Sequence, residues 1–225
     1  METKASSRRG RAAEAARNDR AILDAARAVF IRDPEAPISA VAEEAGVGVG
    51  ALYRRYAGKE ELLRTLCADG LRRFTAIAES ALARQDAPWE AFETFVRGVI
   101  DSDVHSLTVH LAGTFAPTPE LRTLAAEASA LAARILDRAK TAGALRPDVA
   151  ANDLPMIFDQ ITAIRLGDAE RTAALRHRYL TPLLDALRAD TPTRPLPASP
   201  PSDEEVGERW RPPAPARSPR SRPRR

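Results

Sequence analysis

The chain has 225 residues, of which 44% are hydrophobic and only 5% aromatic, and its formal net charge is +3 at pH 7. A single cysteine, Cys67, excludes an internal disulfide and a cysteine-rich zinc or iron–sulfur site. The apolar runs are short and interrupted by charged residues, which argues against a membrane span, and no secretory apolar stretch opens the sequence. The expectation is a cytoplasmic protein.

Composition divides the chain into four segments. Residues 1–16 are polar and are expected to form a flexible arm, and residues 17–65 form a first compact unit. Residues 66–189 form a larger unit with a net charge of −2. Ten of the eighteen prolines follow residue 190, with almost no apolar residues to bury. Proline cannot sustain a helix and a low apolar content cannot offset the ordering entropy, so residues 190–225 are predicted to be a disordered tail.

The elements between residues 17 and 189 are all predicted to be helices, because apolar residues recur at helical spacing and strand-like alternation is nearly absent. The first helix ends before Pro34, a short second helix ends at Gly46, and a longer helix begins near Gly58. The other predicted helices cover about 49–56, 89–111, 121–140, 153–166 and 171–188. The predicted fold class is therefore all-α.

Residues 37–56 have the spacing of a helix-turn-helix. Two helices that cross steeply over a short turn need a small residue at the crossing, a glycine in the turn and an apolar anchor on the second helix. Ala42, Gly46 and Leu52 occupy these three positions. A phosphate-binding loop would also explain the glycines up to Gly50, but no strand precedes them and no Gly-Lys-Ser/Thr sequence follows.

The outer face of the second of these helices is small at its amino end and basic at its carboxyl end. Small residues would let that end enter a major groove, which is about 12 Å wide. Arg54 and Arg55 lie about 100° apart around the helix, so that one is expected to reach a base edge and the other a phosphate. A solvated basic face is the alternative. The outer face and its margins comprise Val49, Gly50, Ala51, Tyr53, Arg54 and Arg55.

Lys59 is a further candidate for a nucleic-acid contact. It lies in the first turn of its helix, where the helix dipole disfavours a cation and favours the neighbouring Glu60 and Glu61. A phosphate docked at this helix end would reverse that balance. A solvated lysine paired with the glutamates explains the pattern equally well.

Ile22–Leu63 resembles the DNA-binding domain of the TetR family of bacterial transcriptional regulators. By this resemblance, residues 17–65 are a three-helix DNA-binding domain in which the six outer-face residues contact DNA, with Ser39 and Lys59 as auxiliary contacts. The matching residues are Ile22, Ala25, Ala26, Phe30, Val41, Ala42, Ala45, Gly46, Val47, Gly50, Leu52, Tyr53, Tyr56, Lys59, Glu60, Glu61 and Leu62.

The resemblance also implies that residues 66–189 bind a small-molecule effector and form a homodimer through the helices at about 153–166 and 171–188. Apolar seams on these two helices agree with a two-helix-by-two-helix contact, although burial within one chain is the alternative. Aromatic residues at helical spacing suit a pocket lining or an ordinary core equally. The candidate pocket residues are Trp89, Phe92, Phe95, His110, Phe115, Met156 and Phe158.

The predicted function is that of a sequence-specific regulator, most simply a repressor that a small-molecule effector releases from a palindromic DNA operator. It would act in the cytoplasm, associated with the nucleoid, without cofactor, metal, catalytic residue or membrane partner. One alternative is a non-specific, architectural DNA-binding protein that uses its two basic ends. Another is a small α-helical enzyme that uses Asp101 and His105, which lie four residues apart on one helix.

Overall fold

The computed structural model describes residues 3–84, 87–111, 113–191 and 194–210, with the backbone alone for residues 3–17 and 108–110. These residues form helices without a strand, which confirms the all-α prediction, and none of the helices is long and apolar enough to cross a membrane. The helices are α1 (Thr3–Arg32), α2 (Ile38–Glu44), α3 (Val49–Arg55), α4 (Lys59–Ala83), α5 (Pro88–Asp101), α6 (Val104–Leu111), α7 (Pro119–Thr141), α8 (Asp153–Thr162), α9 (Ala169–Leu187) and α10 (Asp203–Glu208).

Helices α1 to α3 and the start of α4 enclose one apolar core. Phe30, Ala42 and Leu52 are fully buried in it, as their positions on the apolar stripes predict. The same core includes Leu107 of α6 and Phe115 just after that helix. The amino-terminal unit, which we call the head, therefore packs directly on α6.

A second apolar core lies between α4, α5, α7, α8 and α9, in the part of the chain that we call the body. Phe95 is at its centre and packs edge-on against Phe74, with the ring centroids 5.3 Å apart, and against Phe158 at 6.4 Å. Val104, the first residue of α6, also belongs to this core. Helix α6 is thus shared by the head and the body.

The structure departs from the predictions most clearly in α1 and at the break between α5 and α6. Helix α1 already begins at Thr3, so the predicted flexible arm over 1–16 is helical in its backbone from that residue. The predicted helix over 89–111 is divided into α5 and α6, because Asp103 adopts a left-handed φ of 50°. Its carboxylate accepts hydrogen bonds from the hydroxyl of Ser106 and, at 2.8 Å, from the guanidinium of Arg176. These two side-chain hydrogen bonds stabilise a turn at a point where the apolar spacing predicts a continuous helix.

Five residues of the apolar seams of α8 and α9 are buried within the chain itself, whereas Ile157, Ile164, Leu183 and Leu187 are half-buried. Leu154, Phe158 and Ile161 of α8 are each 2% exposed, and Leu180 and Leu184 of α9 are equally inaccessible. All five belong to the core of the body. These residues therefore cannot be the contact between two subunits, and a dimer that uses α8 and α9 must use their outer faces.

Residues 194–210, which we call the C-terminal strap, belong to the segment 190–225 that is predicted to be a disordered tail, and the structure describes their course over the body. The guanidinium of Arg146 donates to the carbonyl of Arg194 over 2.7 Å, and the carboxylate of Asp148 accepts the N–H of Leu196 over 2.9 Å. Arg146 and Asp148 thus provide hydrogen-bond partners for backbone groups of the strap, and the composition of the strap could not predict these partners. The rest of the predicted tail, 211–225, lies outside the described residues.

Two helical glycines make the packing of α4 on α5 testable. A Cβ atom built on Gly98 of α5 would lie only 2.9 Å from Cγ2 of Ile77 on α4, whereas one on Gly70 of α4 meets nothing within 4 Å. We expect Gly98→Ala to lower the free energy of unfolding by about 1–3 kcal/mol through overpacking. We expect Gly70→Ala to raise it by up to about 1 kcal/mol through helix propensity.

Urea unfolding followed by circular dichroism measures both effects. In an Ile77→Ala background, which removes the clashing methyl group, Gly98→Ala should become close to neutral. Equal destabilisation by the two glycine substitutions would contradict the described packing.

Candidate nucleic-acid interface

The turn between α2 and α3 is closed by backbone hydrogen bonds. Gly46 has a left-handed φ of 66°, and its N–H donates to the carbonyl of Glu43 over 3.1 Å. The N–H of Val47 donates to the carbonyl of Ala42 over 2.9 Å. Ala42 is fully buried at the crossing, where its small side chain allows the two helices to approach. The predicted roles of Ala42 and Gly46 in this turn agree with the described geometry.

The outward face of α3 is open to solvent. Val49 and Tyr53 are 39% and 53% exposed, although both are largely apolar, and Gly50 is also exposed. Ala51 is half-buried, and Leu52 lies beneath the face with no exposure. The small residues therefore lie at the amino end of a short, accessible helix, as the sequence predicts for a helix that enters a groove.

The two arginines at the end of α3 have different surroundings. Arg54 is exposed and extends back along the helix, so that a Cβ built on Gly50 would lie 3.9 Å from its Nη1. Arg55 forms an ion pair with Asp19 of α1. Burial raises the pKa of the neighbouring Tyr56 phenol, and the hydrogen bond and charge of Arg55 partly oppose that rise. Arg54 is thus available to a ligand, while Arg55 connects α3 to α1.

Asp19 was not among the predicted site residues. Its Oδ2 pairs with Arg55, and its Oδ1 is buried with no hydrogen-bond partner among the described residues. The pair joins residues 36 positions apart. No periodicity or motif in the sequence connects them, so only the fold identifies Asp19 as a residue that restrains a candidate DNA contact.

The two auxiliary residues also differ. Ser39 is exposed in the first turn of α2. Lys59 is half-buried, and its ammonium donates to the carbonyl of Pro34 over 2.8 Å and lies 5.4 Å from the ring centroid of Phe30. These contacts connect α4 to the turn after α1. In this arrangement Lys59 stabilises the head. To contact a phosphate, its ammonium would have to bind the phosphate in addition to the carbonyl of Pro34 or in place of it.

The predicted pocket residues lie mainly in the apolar cores. Trp89, Phe92, Phe95 and Phe158 are at most 5% exposed and belong to the core of the body, and Phe115 belongs to that of the head. Met156 is half-buried, and the side chain of His110 lies outside the described residues. A pocket lined by the aromatic residues would have to open by their movement, so this set stays a prediction.

A cavity of about 440 Å³ lies elsewhere, between the break that separates α5 from α6 and the loop before α9. Half of its lining residues are charged, and two of them, Arg176 and Asp103, form an ion pair over 2.8 Å. None of the predicted pocket residues lines it. The charged lining residues are Asp101, Asp103, Arg165, Asp168 and Arg176.

The suggested pair of Asp101 and His105 does not form. The helix break separates the two residues, and each has another partner: Asp101 accepts from His177 of α9 over 2.6 Å, and His105 lies 2.6 Å from Asp159 of α8. In the part of the chain that the structure describes, no group of three or more potential ligands could hold a metal ion. Asp101 and His105 therefore do not form the acid–base pair that their spacing in the sequence suggests.

Comparisons with known proteins agree with this arrangement of head and body. A family model for bacterial regulatory proteins of the TetR family matches residues 22–66, and a model for the C-terminal domain of SbtR-like transcriptional regulators matches residues 87–189. The transcriptional repressor LfrR of Mycolicibacterium smegmatis is 30% identical over 129 residues, which are 56% of this chain and 66% of LfrR. The alignment thus spans just under two thirds of that relative.

Solved structures show the same fold. The TetR transcriptional regulator SCO0520 from Streptomyces coelicolor is 27% identical, with a TM-score of 0.55, over 77% of this chain and 99% of the other. A second solved structure is that of LfrR from Mycobacterium smegmatis in complex with proflavine. It is 24% identical, with a TM-score of 0.57, over 73% of this chain and 95% of the other. The likeness therefore extends from the head through most of the body.

The exposed face of α3 gives a first prediction about DNA. We expect Tyr53→Ala or Arg54→Ala to weaken binding to the preferred duplex by at least about fivefold, since a good base contact contributes about 1–3 kcal/mol. Because both side chains are exposed, the thermal midpoint should not change. Gel shifts and thermal denaturation measure the two quantities. The matched control is Arg134→Ala, which removes an exposed arginine from α7; affinities within twofold of the unmodified protein for both α3 variants would contradict this face.

The ion pair of Asp19 gives a second prediction. In Asp19→Asn the side chain of Arg55 loses its anionic partner and can turn to a phosphate, so affinity for random duplex should rise and the salt dependence should steepen by about one counterion. The control is Asp24→Asn, which removes the same charge from α1 but at a carboxylate that pairs with Arg27 and Arg73. If the two substitutions have equal effects on DNA affinity, the change in net charge alone explains them, and the prediction about Arg55 is wrong.

Proposed function

The chain belongs to the TetR family of bacterial transcriptional regulators, and from this premise we propose that it represses transcription as a homodimer that binds a palindromic operator and is released by a small-molecule effector. The observation that carries the proposal is the open outer face of α3. Val49 and Tyr53 are apolar and exposed, and the head needs neither for its own core. A thymine methyl group and the edges of stacked bases are suitable partners for such residues.

The head supplies rigid support for this contact. Leu52 and Tyr56 anchor α3 from beneath, and Lys59 ties the next helix to the turn after α1. A recognition helix that is held on its inner side loses little entropy when it enters the groove. The proposed contacts to DNA are made by Val49, Gly50, Ala51, Tyr53 and Arg54, with Ser39, Arg55 and Lys59 as auxiliary contacts.

A palindromic operator requires two heads about 34–36 Å apart, one turn of the duplex. We place the dimer contact on the outer faces of α8 and α9 because their inner seams are used by the chain's own core. Leu166, just after α8, is 63% exposed, and Tyr179 of α9 is 53% exposed. Burying such residues against a second copy would remove apolar area from water.

Regulators of the TetR family are generally non-enzymatic, and the separate partners of Asp101 and His105 favour the same conclusion here. The effector is proposed to be a small molecule that binds the body and changes the position of the head through α6. A solved structure of LfrR holds proflavine, which makes small aromatic compounds reasonable first candidates. The proposed location is the cytoplasm, in association with the nucleoid.

Selection of bound sequences from a pool of random duplexes tests the central proposal. We expect a short palindrome that binds about 10³-fold or more tightly than random DNA at physiological salt. Nearly equal binding of all sequences would instead support the architectural alternative. Repeating the selection with candidate small molecules present identifies those that release the duplex.

The proposed dimer contact gives a third prediction about binding. The double variant Leu166→Gln/Tyr179→Gln should shift the protein towards monomer, and operator affinity should fall by at least about tenfold because the two half-sites are no longer bound together. Analytical ultracentrifugation and gel shifts measure these changes. Leu196→Gln is the control, since it makes the same change at an exposed apolar residue of the C-terminal strap. An unchanged dimer would place the contact elsewhere.

A further inference from the structure

The C-terminal strap ends in two residues that contact different elements. The guanidinium of Arg209 lies 2.8 Å from Oδ2 of Asp159 on α8. The indole of Trp210 packs on the core of the head, with its ring centroid 6.4 Å from that of Phe115 and the planes at 65°. A cation and an aromatic ring on consecutive residues thus cover an anion and an aromatic ring of the folded chain.

Asp159 is a partly buried carboxylate that lies beneath the strap. Its side chain is 26% exposed, and burial would raise its pKa, but His105 and Arg209 together hold that pKa below its ordinary value. The carboxylate is therefore ionised at neutral pH. Oδ1 lies 2.6 Å from Nε2 of His105, so that Arg209 is the partner of the other oxygen. If the half-buried carboxylate loses the cation Arg209, it gains a strong preference for another cation.

The anionic and the aromatic part of this surface are contacted by consecutive residues of the strap. Arg209 and Trp210 are adjacent in the chain, so that two consecutive side chains reach the carboxylate of Asp159 and the ring of Phe115. Phe115 is 3% exposed even though it lies in a connection after α6, and Trp210 supplies an edge-on contact to it. The surface therefore offers a carboxylate and an aromatic ring that two adjacent side chains of the strap contact together.

We propose that the surface of Asp159 and Phe115 is a binding site for aromatic cations, which Arg209 and Trp210 of the same chain occupy until a ligand displaces them. The inference rests on the proposed function only in taking this ligand to be an effector. The strap has the same chemistry as the proposed ligand. Arg209 places a delocalised cation on Asp159, and the adjacent Trp210 places a flat aromatic ring on Phe115. Because the strap is part of the chain, it competes at a high effective concentration and weakens the apparent affinity of the ligand.

The position of the site gives displacement a physical consequence. Asp159 is on α8 in the body, whereas Phe115 and Trp210 belong to the apolar core of the head. Arg209 and Trp210 therefore join the two parts beside α6. A ligand that displaces them removes the strap from between the two parts, and it shifts the position of the head to the extent that it binds the two arrangements differently.

The test uses full-length protein without DNA and measures the binding of ethidium, a fluorescent aromatic cation. Removing the internal competitor should increase affinity, so Arg209→Ala and Trp210→Ala should each lower the Kd for ethidium by about fivefold or more. Asp159→Asn, introduced into the Trp210→Ala variant, should reverse this gain, because the carboxylate is neutralised. Arg194→Ala is the matched control, since only the backbone carbonyl of this strap residue contacts Arg146.

An anionic aromatic dye, anilinonaphthalene sulfonate, distinguishes a cation site from exposed apolar surface. Its affinity should not rise in Arg209→Ala; equal gains for both dyes would show simple exposure and overturn the proposal. Unchanged ethidium affinity in both strap variants, with the fold intact by circular dichroism, would also overturn it and leave the strap a purely structural element. Since DNA is absent, these results are independent of whether the duplex selection finds an operator.

Discussion

The close crossing of α2 and α3 is the constraint on which the function of this molecule depends. Ala42 has no exposed surface, and its carbonyl accepts the N–H of Val47 across the turn. A larger side chain at the crossing would separate the helices, and a residue without glycine's conformational freedom would be strained at Gly46, where φ is 66°. Neither short helix has a side-chain N-cap, so packing on Leu52 rather than capping holds α3 in place.

Helix α6 connects this small, rigid head to the body. Val104 at its start belongs to the core of the body, and Leu107 and Leu111 belong to the core of the head. His105 lies between them in sequence and contacts Asp159 of α8. Under the proposed function, a movement of α8 would reach the head through the packed side chains of this one short helix. The left-handed residue Asp103 separates α6 from α5, so that α6 can move without bending a long helix.

Much of the head could be predicted from the sequence because its determinants are local. The stripe through Phe30, the glycine at 46 and the anchor at Leu52 lie within one supersecondary unit, and the structure places all three as expected. The break at Asp103 and the course of the strap could not be predicted, since they depend on Arg176 and Arg146, which are far away in the chain. The same holds for α8 and α9: an apolar seam predicts burial, but it does not specify whether the same chain or a second one covers it.

The candidate DNA surface shows why the residues on a recognition helix are not equivalent, although the sequence presents Arg54 and Arg55 as neighbours of equal charge. Arg55 already has an anionic partner in Asp19, and Lys59 already donates to Pro34, so each would exchange an intrachain contact for a phosphate. Such an exchange contributes less free energy than a new contact made by Arg54. Under the proposed function, discrimination between DNA sequences is therefore expected to depend mainly on the apolar and small residues at the amino end of α3 together with Arg54. The paired cations can then hold the head together when DNA is absent and add affinity only where the phosphates come close enough to compete.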